Sequence, residues 1–163
     1  MSTVYIETSV VSYLRNNPTA AIDSVTRQQI TRTWWNNDRH RYELVTSQYV
    51  VDECRSGNAA SAAERLEYLT LLPLLSLKIE IDQLAGEILS RAILPNHAML
   101  DALHIACAAV HRVDYLLTWN CKHIANPIIL PRVFRTLQDF GLPFPIICTP
   151  RDMMEEINDE PSE

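Results

Sequence analysis

Four side chains that offer oxygen ligands lie just after predicted strands or near the starts of predicted helices: Glu7, Glu53, Asp101 and Asn120. Carboxylate and amide oxygens are the ligands that Mg²⁺ and Mn²⁺ prefer in proteins. Carboxylates that cluster without a base repel one another, and a divalent cation removes that repulsion. The four residues therefore predict a metal site of the hard-oxygen type, provided that the fold brings them together.

Asp101 is the most informative of these residues. It is the only formally charged residue between His97 and His111 if the histidines are neutral, and its neighbours on the helix face are apolar. An isolated carboxylate on an apolar, buried helix is costly unless it is paired or binds a cation. We therefore favour a metal-binding or catalytic role for Asp101 over the plainer interpretation, a carboxylate that complements the helix dipole near the helix start.

The other three residues also have plainer interpretations. Glu7 alone could be a surface carboxylate after a strand, and Asn120 could be a turn or capping residue. Glu53 has Asp52 beside it, so one of the two is expected to be solvated. The spacing alone does not choose between these two acids.

Short apolar runs that alternate with helical stretches would position these side chains. Strands are predicted at 4–6, 44–46, 75–81, 115–118 and 145–148. Helices are predicted from Ser9 to Leu14, at 23–40, from Ser47 to 56, and at 59–72, 82–93, 97–112 and 131–140, with Ser9 and Ser47 as capping residues. This alternation is typical of the α/β class: a three-layer α/β/α fold with a central, mainly parallel sheet. In such sheets, sites form at the carboxyl ends of the strands.

Composition sets the domain organisation. The 163 residues include 14 basic and 20 acidic ones, and six of the acids fall in residues 152–163, which hold no base. The remainder of the chain is therefore neutral, so its charge does not exclude a nucleic-acid partner. We predict one domain over residues 1–150 and an acidic C-terminal tail over 151–163. The tail is a frayed helix end, a solvating segment or a shield over the site.

Three glycines, none near another, exclude the glycine-rich loops that cradle phosphates. Four cysteines without a CxxC pair favour a reduced, cytoplasmic protein over a disulfide scaffold. The longest apolar stretch, 69–77, is broken by Pro73, and no leader precedes the first strand, so we expect no membrane segment.

Four segments of the sequence resemble, in the right order, the signature regions of PIN domains: VYIETSVVSYL, SQYVVDECRSG, LDALHIACAA and DYLLTWNCKH. That family includes the ribonuclease toxins of VapBC-type toxin–antitoxin pairs, and the match covers about residues 3–150. The resemblance implies a PIN-like fold and a cytoplasmic, Mg²⁺- or Mn²⁺-dependent endoribonuclease that hydrolyses RNA. It also implies an antitoxin protein as partner and a homodimer.

The resemblance also implies a role for each matching residue. The implied metal ligands are Glu7, Glu53 (in preference to Asp52) and Asp101, while Ser9 and Asn120 would orient ligands or water. Two positions depart from the family pattern, because Glu7 and Asn120 stand where Asp is common. These departures motivate an alternative, a PIN-like RNA-binding or protein-interaction module whose catalysis has lapsed. A small-molecule phosphatase is a weaker alternative, since the DxD motif is missing.

Positive groups near the motifs would receive the substrate: Arg15, Lys122 and His123. The stretch Arg27–Arg41 adds four arginines and two tryptophans, which favours an amphipathic helix with a tryptophan core over an RNA-binding or partner surface. His104 lies on a different helix stripe from Asp101, so a packed histidine is favoured over a metal ligand. A thiol nucleophile made of Cys121 and His123 is the least favoured scheme.

Overall fold

A five-stranded, all-parallel sheet forms the centre of the protein in the computed structural model, which describes residues 1–15 and 17–159, with side chains up to residue 155. The strands are β1 (Thr3–Ile6), β2 (Glu43–Ser47), β3 (Leu74–Leu75), β4 (Tyr115–Leu117) and β5 (Ile146–Cys148). Their spatial order is β3-β2-β1-β4-β5. The predicted parallel sheet is thus confirmed, with β1 at its centre.

Eight helices cover the sheet in the described part of the chain: α1 (Thr8–Leu14), α2 (Ile22–Asn37), α3 (Gln48–Cys54), α4 (Ala59–Leu69), α5 (Ile79–Ser90), α6 (Met99–Val110), α7 (Leu130–Asp139) and α8 (Pro150–Asp159). Helices α1 to α4 and α8 contact one another, and α5 contacts α6 and α7. Parallel strands are joined by right-handed crossovers, so reversing the direction of strand addition after β3 moves the second group to the opposite face. The three-layer α/β/α architecture is confirmed.

The central strands are buried on both sides. Val4, Tyr5 and Ile6 have no exposed surface, and neither do Leu116 and Leu117. Continuous apolar runs, rather than alternating ones, are the pattern of strands covered on both faces. Ile6 pairs in register with Leu117. The residues that follow, including Glu7, therefore emerge side by side at the same sheet edge.

One predicted helix cap is wrong, and a second lacks the expected hydrogen bond. Glu7, not Ser9, is the N-cap of α1, because its side chain accepts a hydrogen bond from the Ser9 backbone N–H. Ser47 is the N-cap residue of α3, as predicted, but its side chain makes no capping hydrogen bond. Its hydroxyl instead lies 2.6 Å from the Tyr5 hydroxyl. In both places a long-range or site contact replaces the local bond that sequence reasoning expects.

The third predicted strand, 75–81, is also wrong in extent. Pairing with β2 is limited to Leu74 and Leu75, and α5 starts at Ile79. Glu80 and Asp82 lie in the first turn of α5. Carboxylates at a helix start are stabilised by the helix dipole, which favours helix over a longer edge strand here. The other boundaries differ from prediction by a few residues.

The start of the predicted acidic tail is a packed helix. Helix α8 contacts α2, and Met153 is 1% exposed. Thr149 and Asp152 cap the helix reciprocally: the Thr149 N–H donates to Asp152 at 2.8 Å, and the Asp152 N–H donates to the Thr149 hydroxyl at 3.2 Å. Asp152 is thus a capping residue, while Glu160 and Glu163 lie outside the described residues. The division at residue 150 stays a prediction.

Truncating the Met153 side chain should therefore destabilise the whole domain. We expect Met153→Ala to lower the free energy of unfolding by about 2–4 kcal/mol, the usual cost of a cavity left by a buried methionine. Chemical denaturation measures this loss. Met99→Ala is the matched control, since Met99 is 42% exposed. A loss for Met153→Ala no larger than that of the control would show that α8 does not contribute to the core.

Candidate active site

Glu7 lies at the carboxyl end of β1 and is only 4% exposed. Its Oε2 accepts hydrogen bonds from the Ser9 N–H at 2.9 Å, from the Thr118 hydroxyl at 2.8 Å and from the Ser9 hydroxyl. All three donors end on the same oxygen, so they fix the orientation of the carboxylate. The other oxygen, Oε1, accepts none of these hydrogen bonds and is available to a ligand.

Ser9 joins the first helix to the end of β4. Its Oγ accepts a hydrogen bond from the Trp119 N–H at 2.7 Å and lies 3.3 Å from the Thr118 hydroxyl. Thr118 is fully buried and was not among the predicted site residues. Its position directly after a buried apolar strand is the sequence feature that could have identified Thr118 as a site residue. Ser9 and Thr118 together hold Glu7 rather than facing solvent.

Glu53, on α3, is held by hydrogen bonds to His104 and Thr8. His104 Nε2 lies 2.5 Å from Glu53 Oε1, and His104 Nδ1 lies 2.8 Å from the Tyr5 hydroxyl. The Thr8 hydroxyl donates to the same Glu53 oxygen at 2.8 Å. His104 has no exposed surface. It is packed, as predicted, but it also contacts a site carboxylate, which sequence reasoning missed.

The pKa values of this pair favour an ion pair. Burial lowers the pKa of His104, but the hydrogen bond to Glu53 and the charges of Glu7, Glu53 and Asp101 outweigh it, so the net pKa is raised. For Glu53, burial raises the pKa. The hydrogen bond and charge of His104 and the hydrogen bond from Thr8 lower the pKa by more, so the net pKa is lowered. Both directions stabilise the charged forms of the two groups.

The stability of the metal-free protein should therefore depend on pH through His104, which faces Glu7, Glu53, Asp101 and the Tyr5 hydroxyl. A raised folded pKa contributes stability that is complete below the ordinary His value of 6.5 and is lost as pH rises through the folded pKa. The lowered pKa of Glu53 contributes stability above the ordinary Glu value of 4.5, which is lost as pH falls through its folded pKa. The contribution of the pair is thus largest between these two values.

We expect the difference in unfolding free energy between the wild type and His104→Gln to shrink as pH rises from 6 to 9. Denaturation in EDTA at several pH values measures it. His111→Gln is the control, because His111 is partly exposed and bonds the Ser76 carbonyl, a contact outside the site. A difference that grows toward alkaline pH would contradict the ion pair.

Asp101 belongs to a second, adjoining group. Its Oδ1 accepts a hydrogen bond from Asn120 Nδ2 at 3.0 Å, and its Oδ2 lies 2.9 Å from His123 Nδ1. The Asn120 side-chain oxygen in turn accepts from the His123 N–H at 2.9 Å. Sequence spacing offered Asp101 no base on its own helix, but His123 reaches it from the loop after β4. His123, predicted to contact substrate, is engaged with Asp101, and Cys121 beside it is exposed.

The cluster best suited to a metal contains Glu7, Glu53 and His104, whose ligand atoms all lie within 4.8 Å of one another. The fold thus brings together two of the three predicted ligands. Asp101, the third, pairs with Asn120 and His123, so its role as a ligand stays a prediction. His104 holds Glu53 through Nε2 and contacts Tyr5 through Nδ1. Both of its nitrogens are occupied, which suits a residue that positions Glu53.

The choice between Asp52 and Glu53 has a structural basis. Asp52 is exposed and forms an ion pair with Arg55 at 3.6 Å. Glu53 turns toward the cluster at the end of a cleft of about 780 Å³. Asp52 lines the same cleft. What separates the two acids is that Glu53 contacts His104 and Thr8, whereas Asp52 pairs with Arg55.

The predicted cationic residues occupy different places. Arg15 forms an ion pair with Glu64 at 3.3 Å, in a separate cleft that Trp35 also lines. Lys122 is exposed in the loop after β4, close in sequence to Asn120. Trp34 has no exposed surface. The amphipathic interpretation of this stretch of α2, with a tryptophan in the core, therefore agrees with the packing.

None of the helices in the described part of the chain is long and apolar enough to cross a membrane.

Comparison with known proteins identifies the fold. No family model matches the sequence, and no curated protein is significantly similar to it. Among solved structures, VapC20 of Mycobacterium tuberculosis, described as a sarcin-ricin loop cleaving toxin, superimposes with a TM-score of 0.57 at 16% identity, covering 74% of this chain and 92% of its own. VapBC2 from Rickettsia felis, bound to a DNA fragment from their promoter, gives a TM-score of 0.49 at 16% identity, covering 90% and 98%. This chain has a PIN-domain, VapC-like fold.

Proposed function

We propose that this protein is a metal-dependent endoribonuclease that hydrolyses RNA phosphodiester bonds. The observation that carries the proposal is the group of Glu7, Glu53 and His104 at the carboxyl edge of the sheet, within a VapC-like fold. Glu7 and Glu53 each place an oxygen within 4.8 Å of the other, and a divalent cation would stabilise two carboxylates held this close together.

The free oxygens of the cluster support Mg²⁺ or Mn²⁺. Glu7 Oε1 is free of the three hydrogen bonds on Oε2, and both hydrogen bonds to Glu53 fall on its Oε1, which leaves Oε2 for a cation. His104 would contribute through Glu53 rather than as a ligand. The free donors are then oxygen atoms, which hard cations prefer.

The cation, when bound, activates water and neutralises charge that develops on the phosphate. The residues of the chain hold the geometry. Ser9 and Thr118 fix Glu7, while His104 and Thr8 fix Glu53. Asn120 donates to Asp101 and thereby orients that carboxylate toward the same edge. In this scheme Asp101 is a further ligand, direct or through water.

The biological role we propose is that of a toxin in a toxin–antitoxin pair, acting in the cytoplasm. The likeness to VapC20, a toxin, supports this role. An antitoxin would then cover the acidic site, and a homodimer would be the active assembly. A short adjacent reading frame that encodes a DNA-binding protein is the observation to seek in the genome.

Cleavage assays test the proposal directly. Structured hairpin RNA and unstructured RNA are incubated with the protein in Mn²⁺, with and without EDTA, alongside Asp101→Ala. We expect cleavage by the wild type in Mn²⁺, none in EDTA and none by the variant. Cleavage that survives both EDTA and Asp101→Ala would exclude this mechanism.

One observation favours the lapsed-module alternative. The Asn120 side chain uses both of its polar atoms within the protein: Nδ2 donates to Asp101, and Oδ1 accepts from the His123 N–H. It is therefore not free to bind a second cation. Calorimetry with Mn²⁺ separates the two functions: defined binding that is lost in both Glu7→Ala and Asp101→Ala supports the enzyme, and no binding supports the lapsed module.

A further inference from the structure

Trp119 connects the acidic site to a neighbouring surface. It stands between Thr118 and Asn120, its N–H donates to Ser9 at 2.7 Å, and its ring is 5% exposed. The indole N–H donates to the Thr31 hydroxyl of α2 at 2.7 Å. The ring is therefore fixed in place, and the backbone of the same residue contacts Ser9, a hydrogen-bond donor to Glu7.

Two arginines from distant parts of the chain each lie near this ring. The Arg27 guanidinium carbon lies 5.0 Å from the Trp119 ring centre and 5.8 Å from that of Tyr13. The Arg151 guanidinium carbon lies 6.0 Å from the Trp119 ring centre. Arg27 comes from α2 and Arg151 from the first turn of α8, two helices that pack together. We call Arg27 and Arg151 the arginine pair.

The arginine pair has no counterion among the residues that the structure describes. Other arginines do form ion pairs there: Arg15, Arg41, Arg55 and Arg91. Two like charges held near one ring repel each other, and the attraction of each for the indole offsets only part of that cost. An anion placed between them would remove the repulsion.

We propose that the arginine pair binds a backbone phosphate of RNA next to the scissile bond; this subsite rests on the proposed ribonuclease function. A phosphate fits better than a base, because the guanidinium groups cover the ring on which a base would stack. Guanidinium forks match phosphate oxygens bidentately. The pair also supplies positive charge beside a site whose carboxylates repel RNA. Helix α8, at the start of the acidic tail, thereby contributes to substrate binding through Arg151.

Binding of labelled single-stranded RNA in EDTA tests the subsite without cleavage. Fluorescence anisotropy is compared for the wild type, Arg27→Gln, Arg151→Gln and the double variant over a series of salt concentrations. We expect each single change to raise Kd about 3- to 10-fold and to reduce the slope of log Kd against log salt by about 0.7, the value for one phosphate contact on a single strand. Arg27→Lys and Arg151→Lys should restore most of the slope of log Kd against log salt, because lysine keeps the positive charge.

Arg41→Gln is the matched control, since Arg41 already pairs with Asp38 at 3.7 Å, and its Kd should not change. A purely structural role predicts that Arg27→Gln lowers the melting temperature while Kd stays constant, which would overturn the proposal. If Arg27→Gln does not fold, Arg151→Gln decides alone, because Arg151 is exposed. RNA binding that depends on the pair without any cleavage in Mn²⁺ would remove the proposed catalysis and keep the subsite. Cleavage in Mn²⁺ together with a Kd that the arginine variants do not change would remove the subsite and keep the proposed catalysis.

Discussion

Replacing Glu7 with glutamine should reduce RNA cleavage by about 100-fold or more while leaving the fold intact. Changes to groups that merely support a metal ligand already cost about 10- to 100-fold, and Glu7 is proposed as a ligand itself. The amide oxygen of glutamine can accept the three hydrogen bonds that now reach Oε2 from Ser9 and Thr118. The NH₂ group then takes the place of Oε1, where it presents hydrogens to the cation in place of a lone pair.

Two measurements separate the lost charge from lost structure. Initial rates of RNA cleavage in Mn²⁺ and calorimetric titration with Mn²⁺ should both fall for Glu7→Gln, while the melting temperature in EDTA should stay near that of the wild type. Asp52→Asn removes an acid of the same surface that is exposed and paired with Arg55, so it should leave both quantities unchanged. A cleavage rate for Glu7→Gln within threefold of the wild type would remove Glu7 from the site.

The sheet and the position of the site were predictable because they follow from local patterns. The runs Val4–Ile6 and Tyr115–Leu117 are apolar at every position, which is the pattern of central parallel strands. Their register places the residues that follow at one edge. The strand-end rule therefore located Glu7 and Asn120 without any knowledge of the tertiary contacts.

The polar contacts inside the site were not predictable in the same way. His104 lies on an apolar helix stripe, and its partner Glu53 is 51 residues away in another helix. Local periodicity reports which face is buried but not which buried polar group meets which. The same limit applies to Ser47, which is the N-cap residue of α3 but whose hydroxyl bonds Tyr5 instead of a backbone N–H of the helix. Tertiary hydrogen bonds took precedence over local capping at these positions.

The start of the tail shows a different limit. A solvating segment is one interpretation of its acidic composition, yet Met153 is buried, Thr149 and Asp152 form a capping box, and α8 contacts α2. Net charge averages over a segment, whereas packing depends on single side chains such as Met153. Arg151, the one base at the head of this segment, reaches Trp119 for the same reason.

Replacing His104 with leucine should destabilise the protein by about 2 kcal/mol, because removing the buried partner of an ion pair leaves the partly buried Glu53 carboxylate without its countercharge. His104 is fully buried and lies 2.5 Å from Glu53. Removing both partners should cost less than the sum of the two single changes. We therefore expect His104→Leu/Glu53→Leu to be more stable than His104→Leu alone, since the double variant buries no unpaired carboxylate and Tyr5 keeps its bond to Ser47.

A double-mutant cycle from denaturant unfolding in EDTA measures this coupling, which we expect to exceed about 1.5 kcal/mol in favour of the native pair. Metal binding provides an independent reading, because His104→Leu leaves the Glu53 carboxylate in place and removes the group that orients it. Affinity for Mn²⁺ should then fall about 10-fold or more, the usual effect of losing a group that positions a ligand. Additive single changes together with unaltered Mn²⁺ affinity would mean that His104 only fills space. Coupling with weakened affinity would identify it as the residue that fixes Glu53.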